Sequence, residues 1–163
     1  MFCILAASSA LAAFDSAEWL AKREMLTREA ERLRAAYSNC VARVTEPAED
    51  ITIPIETFPD GSVKSFVHAR KATLFLDTGF VWAAGVTVRK VDTDGKEVSR
   101  IDAANCVIDR NTKSGWADGP ARLRHGSTTF TGEGIYFSSP EGYVMVLRKS
   151  EIYSKDLKFG GVQ

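Results

Sequence analysis

The sequence has few of the residues that build metal centres and nucleophilic active sites. Its 163 residues include only two histidines and three cysteines, and neither His68 nor His125 has a cysteine or an acidic pair nearby at metal-ligand spacing. Gly132 and Gly134 fall short of a dinucleotide-binding fingerprint, because no strand-to-helix transition follows them. No Ser, His and Asp form a local catalytic signature, although a triad could assemble from distant positions. We therefore predict a protein that is not an enzyme and uses no metal or other cofactor.

The sequence also lacks an excess of either charge. Twenty-one basic residues balance twenty-one acidic ones, so the formal net charge at pH 7 is zero. This balance argues against a general polyanion binder, and we expect no nucleic-acid partner, although a local basic patch is compatible with it. The length suffices for one domain with a real core and is too short to expect two.

No apolar run is long enough to cross a membrane. The apolar segment at the N-terminus, residues 2–14, has about thirteen residues, whereas a spanning helix needs roughly 20. It ends in small residues suited to an Ala-x-Ala cleavage site, which predicts a secretory leader over residues 1–13, cut near Ala12 or Ala13. The basic residues that usually open a leader are missing, so a buried or amphipathic terminal segment is the alternative.

Two cysteines, Cys40 and Cys106, remain if the leader is removed. In an oxidising compartment they could form one disulfide, but their spacing alone does not show that they meet. Burial of both as small apolar side chains is the other interpretation.

A long helical pattern follows the apolar segment. Asp15 and Glu18 form a capping box, and neither Gly nor Pro interrupts the chain until Pro47. Apolar residues recur at helical spacing and form one stripe, made of Trp19, Leu26, Ala30, Leu33, Tyr37, Cys40 and Val44. We predict an amphipathic helix within residues 14–46 that packs on the rest of the chain, with a coiled-coil or partner-binding role as the alternative.

Beyond Pro47 the hydrophobic period changes from helical to two. Ile51, Ile53 and Ile55 alternate with other residues, and Pro54 inside this run favours an edge strand. Gly, Pro, Asp and Asn clusters then separate further strand candidates at 62–69, 71–77, 80–91, 96–102, 104–110, 116–124, 127–138 and 143–153. Such regular spacing predicts a mainly β domain over residues 47–156, a sandwich, roll or barrel, followed by a tail at 157–163.

A weak internal repeat refines this prediction. Residues 69–89 can be aligned with residues 103–124 so that Gly85 falls on Gly119, and a third copy begins at Gly132. Each unit consists of a strand, a turn ending in Gly followed by an aromatic residue, and a second strand. Units of roughly 30 residues predict stacked hairpins that share one core.

Three short motifs carry a resemblance to a known family. They are Arg-Ile-Asp-Ala at residues 100–103, Gly-Pro-Ala at 119–121, and Phe-Thr-Gly-Glu-Gly-Ile-Tyr-Phe at 130–137. Together they resemble the repeating pattern of the LptA/LptC (OstA-like) periplasmic lipopolysaccharide-transport proteins, over roughly residues 61–153. The resemblance implies an open antiparallel β-jellyroll, here preceded by one long amphipathic helix. Family members of the LptC type usually have a spanning helix at this place, so an LptA-like or LptC-like role and any inner-membrane association stay open.

The alternating strands also predict which side chains line the interior. Eleven apolar residues are expected to point inward: Leu74, Leu76, Val86, Val88, Ile101, Val107, Phe130, Ile135, Phe137, Val144 and Val146. The resemblance implies that they contact the acyl chains of lipopolysaccharide, whereas a simple filled core is the alternative, and the interior volume separates the two. Four cations are candidates to meet lipid phosphates at the mouth of the roll: Arg122, Arg124, Arg148 and Lys149.

Two functions follow as hypotheses. The first is a periplasmic, non-enzymatic protein of outer-membrane biogenesis that binds lipopolysaccharide or a similar lipid and pairs its edge strands with other β-jellyroll transport proteins. The second is a β-rich assembly module that binds protein through exposed edge strands, with a homo-oligomer as one outcome, and takes up no lipid.

Overall fold

The computed structural model describes residues 3–6, 17–138, 140 and 143–154. The elements in chain order are β1 (Cys3–Ala6), α1 (Ala17–Arg43), β2 (Ala48–Thr57), β3 (Val63–Phe75), β4 (Phe80–Val91), β5 (Glu97–Asp109), β6 (Ser114–His125), β7 (Thr128–Ser138) and β8 (Tyr143–Ser154). The predicted cap at Asp15, the proposed cleavage site and the tail at 157–163 lie outside the described residues.

Strands β2 to β8 form one antiparallel meander in which each strand pairs with its neighbours in sequence. The short strand β1 lies parallel to the far side of β8, with Cys3 opposite Tyr143 and Ala6 opposite Val146. Strand β2 forms the opposite edge and pairs only with β3, so the sheet stays open and does not close into a barrel. The predicted fold class, an open antiparallel β-jellyroll of stacked hairpins behind one long helix, is confirmed. The position of β2 also confirms the edge strand that Pro54 suggested.

Two pairs of predicted strands are single long strands in the structure. The candidates at 62–69 and 71–77 form β3, and those at 96–102 and 104–110 form β5. The inward positions of β5 change from odd residue numbers, as at Ile101, to even ones, as at Cys106, without ending the strand. The change falls where the pairing with β6 shifts, between Ala103 and Asn105. The interrupted alternation therefore imitated a strand boundary.

Glycines in left-handed conformations lie close to these irregularities. The register of β6 against β7 shifts between Ala117 and Pro120, next to Gly119 at a φ of +71°. Gly85 on β4 has a φ of +61°, and only glycine adopts such angles without steric cost. The aligned glycines of the sequence repeat thus occupy equivalent, conformationally special points of two strands.

The sheet has an apolar cluster on each face, and α1 packs on the outer one. Four buried helix residues contact this face, namely Leu26, Ala30, Leu33 and Cys40, and their partners on the strands are Phe75, Val107, Trp116, Tyr136 and Met145. Fully burying one leucine contributes roughly 1.5–3 kcal/mol, so the stripe is sufficient to hold the helix on the sheet. Arg32 adds an ion pair with the buried carboxylate of Asp109 at 2.8 Å.

The two cysteines lie in different apolar clusters. Cys40 belongs to the cluster under the helix and Cys106 to the interior cluster on the other face. Both are free and buried, which is the second of the two interpretations given above. Burial raises the pKa of the Cys106 thiol to about 12.

In the part of the chain that the structure describes, no helix combines the length and apolar character that a membrane span requires.

Candidate functional site

The inner face of the curved sheet carries a continuous apolar cluster that runs from β2 to β8. Its buried members include Val67, Ala83, Ile108, Leu123 and Ile135. Ile51, Ile53 and Ile55 of the edge strand β2 pack against it but are only partly buried. The residues in the middle of the cluster are therefore buried, and those on β2 are partly exposed to solvent.

Eight of the eleven residues predicted to point inward belong to this interior cluster. They are Val86, Val88, Ile101, Phe130, Ile135, Phe137, Val144 and Val146. The alternation of the strands was enough to place them, because each lies on an uninterrupted stretch between bulges.

The other three predicted residues do not belong to the interior cluster. Val107 faces α1, because the inward positions of β5 change from odd residue numbers at Ile101 to even ones at Cys106 and Ile108. Leu76 is 86% exposed in the turn that follows β3. Leu74 is 42% exposed and joins neither cluster, because the pairing of β2 with β3 ends at Ala72 and leaves the last residues of β3 uncovered.

Two cavities adjoin the interior cluster. The mouth cavity, about 210 Å³, lies between β2 and the ends of β4 and β5 and is lined by Ile53, Pro54, Ile55, Val67, Val81, Ile108, Arg110 and Lys113. The inner cavity is only about 30 Å³ and is lined by residues of every strand from β2 to β8, including Val88, Ile101, Phe137 and Val144. Typical small-molecule pockets measure about 300–1,000 Å³, so side chains nearly fill the interior in this conformation. Ile55 lines both cavities and lies between them.

The mouth cavity combines apolar walls with two cations. Arg110 and Lys113, both exposed, stand at the turn between β5 and β6. None of the described residues that line this cavity is acidic. The arrangement suits an amphiphile with an anionic group at the surface and an apolar chain inside. The sequence reasoning missed both residues, because turn positions carry no alternation, and basic residues in a turn usually just face water.

The inner cavity contains one further cation, Lys90. Burial lowers the pKa of Lys90, and the nearby charge of Lys64 lowers it further. Three buried hydroxyls, those of Ser65, Ser99 and Ser138, line the same cavity. The interior is thus apolar in its middle, with a small polar region beside Lys90.

Three of the four cations predicted at the mouth lie elsewhere. Arg122 and Arg124 flank the buried Leu123 and are themselves exposed, so they project from the outer face. Lys149 contacts Glu133 at 3.0 Å on that same face. The side chain of Arg148 lies outside the described part of the structure. The outward placement follows from strand alternation, since Leu123 occupies the inward position between the two arginines.

A separate cleft of about 580 Å³ lies between α1 and the ends of β6 and β7. Charged helix residues line much of it, and they pair among themselves: Arg32 with Glu29, and Arg28 with Glu24. Hydrogen bonds to Glu29 and Asp109 raise the pKa of the Arg32 guanidinium. This cleft is less suited to an apolar ligand than the interior, because its charges already neutralise one another.

Across the described side chains no group of three or more His, Cys, Asp and Glu could hold a metal ion. Burial lowers the pKa of His125.

Compared with protein-family models and with curated proteins, the chain shows no match to either.

Proposed function

We propose that this chain is a non-enzymatic envelope protein of the LptA/LptC type, which binds the acyl chains of lipopolysaccharide in its open roll and passes them on. The observation that carries the proposal is the apolar interior, which leads to a mouth cavity beneath two cations. Acyl chains match the apolar walls, and the phosphates of lipopolysaccharide match Arg110 and Lys113 at the rim.

Uptake of an acyl chain requires the interior to widen, and β2 is the element best placed to move. It pairs with a single neighbour, β3, whereas each strand from β3 to β7 has two. Its inward residues Ile51, Ile53 and Ile55 are only partly buried, while Val67, which lies opposite Ile53, is fully buried. Displacing β2 outward therefore exposes less apolar surface than opening the centre of the sheet would. Movement of Ile55 would join the mouth cavity to the inner cavity.

A pair of adjacent residues provides the test. A photo-crosslinking amino acid at Phe137 lies in the interior, and the same group at Tyr136 lies under α1 on the outer face. We expect lipopolysaccharide adducts at Phe137 and none at Tyr136, detected by mass shift on denaturing gels. The proposal fails if Phe137 and a second interior position, Val146, both yield no adduct in a folded protein.

One observation favours the alternative, a β-rich module that assembles with other proteins. The side of β8 away from β7 holds the parallel strand β1 of the N-terminal segment, so this side is able to accept a strand. Strand β2 offers an unpaired edge at the other end of the sheet. Partners would be other β-jellyroll proteins or further copies of this chain. Defined oligomers without interior adducts would favour this function.

The cellular location belongs to the same proposal. Lipopolysaccharide transport places the protein in the periplasm, and the apolar segment at residues 2–14 would act as its secretory leader.

A further inference from the structure

A row of three arginines crosses the outer face of the sheet beyond the end of the surface that α1 covers. Arg89 on β4 lies opposite Arg100 on β5, which lies opposite Arg124 on β6. Side chains directly opposite on adjacent strands are about 4.5–5.5 Å apart at Cβ, and like charges in such pairs are destabilising. The row thus places three positive charges side by side, an arrangement that by itself lowers the stability of the fold.

Three further cations extend this row into one surface, the basic strip. Arg70, Arg122 and Lys149 line an open groove of about 630 Å³ next to the row. A Cβ at residue 85 would collide with the side chain of Arg70. Gly85 therefore leaves the space that the Arg70 side chain occupies. The basic strip therefore consists of Arg70, Arg89, Arg100, Arg122, Arg124 and Lys149.

Among the described side chains, three carboxylates pair with cations of the basic strip. Glu97 bridges Arg89 and Arg124 at 2.6 Å to each. Asp102 pairs with Arg100, and Glu133 pairs with Lys149. The strip with its carboxylates thus carries three excess positive charges. The whole chain has twenty-one residues of each sign, so this local excess stands in a chain of zero formal net charge.

We propose that the basic strip docks the protein on the surface of an anionic lipid bilayer. Its length favours an extended array of phosphates over one small anion: from β3 to β8 it crosses five strand spacings, about 24 Å along the sheet. The groove is open, and its cations stand on three strands, β3, β6 and β8. This docking is separate from lipid uptake in the interior, because these side chains project from the opposite face.

The test is co-sedimentation with vesicles. We expect the full chain to bind vesicles of equal parts phosphatidylglycerol and phosphatidylcholine, to bind pure phosphatidylcholine far more weakly, and to lose affinity as salt rises. The double variant Arg122→Gln/Lys149→Gln should bind about 25-fold more weakly, at about fivefold per basic residue. A matched control, Arg28→Gln/Arg34→Gln, removes the same charge from the exposed side of α1 and should bind like the unmodified protein.

Two results would overturn the proposal. One is equal loss in both double variants, which would make the effect one of net charge. The other is displacement of the protein from vesicles by inorganic phosphate at the ionic strength of a matched chloride control, which would identify a small-anion site. Adducts at Phe137 should be unchanged in Arg122→Gln/Lys149→Gln, so failure of docking and failure of interior lipid binding are distinguishable.

Discussion

Replacing Phe137 with alanine tests the interior most directly. The Phe137 ring is buried, packs over Gly115 where a Cβ would collide with it, and lines the inner cavity of about 30 Å³. Phe137→Ala therefore enlarges an existing cavity instead of creating an isolated one. The substitution removes a wall of the inner cavity without altering any charged group of the mouth.

The expected cost is about 3–5 kcal/mol of unfolding free energy, the usual range for a buried phenylalanine changed to alanine. Domains are typically stable by about 5–15 kcal/mol, so the variant is expected to fold. An acyl chain that enters the vacated space regains about 0.8 kcal/mol per methylene. Three methylenes would thus restore about 2 kcal/mol of unfolding free energy. A ligand present at a hundredfold excess over its Kd stabilises a protein by a similar amount, about 2.7 kcal/mol.

The assay is urea unfolding with and without dodecyl phosphate below its micellar concentration. The matched control is Tyr136→Ala, which truncates the next aromatic residue on the same strand but empties space under α1. We expect dodecyl phosphate to raise the unfolding midpoint of Phe137→Ala by more than that of the unmodified protein or of Tyr136→Ala. Equal shifts in the two variants would refute the reasoning, because general detergent binding would then account for them.

Two further outcomes follow from the contacts. Gly134→Ala should cost about 1–3 kcal/mol more unfolding free energy than Gly95→Ala, measured by urea unfolding. Both glycines have positive φ, but only at Gly134 would a Cβ come within 2.6 Å of the buried Trp116 ring. Equal costs would mean that the ring shifts freely. Hydrogen bonds from Arg124 and Arg89 lower the pKa of Glu97 below 4.5. Glu97→Gln should therefore lose about 1 kcal/mol or less of unfolding free energy above pH 4.5, and this loss should vanish as the pH falls through the lowered pKa. A pH-independent difference in the urea midpoint would contradict this.

Much of the fold was predictable because it rests on local periodicity. The stripe containing Leu26, Leu33 and Cys40 places α1 on the sheet, since apolar residues at helical spacing need a surface to cover them. Pro54 marked an edge strand because it cannot donate a hydrogen bond to a second neighbour. Phe137 and Val146 were assigned to the interior by alternation alone.

The errors arose where periodicity is interrupted or ends. Val107 lies beyond the point after Ala103 where the inward positions of β5 change from odd to even residue numbers. Leu74 keeps the alternation but has no covering strand. Arg110 and Lys113 stand in a turn, where spacing says nothing about the cavity they will face.

The sequence by itself determined the helix, the strands and most inward residues, because these depend on short-range patterns and on the cost of exposing apolar surface. Only the tertiary structure decided which cations share a surface. The basic strip combines residues separated by up to about eighty positions, from Arg70 to Lys149, and strand register alone brings them together. The volume of the interior was also decided there, because it depends on how closely side chains from seven strands pack.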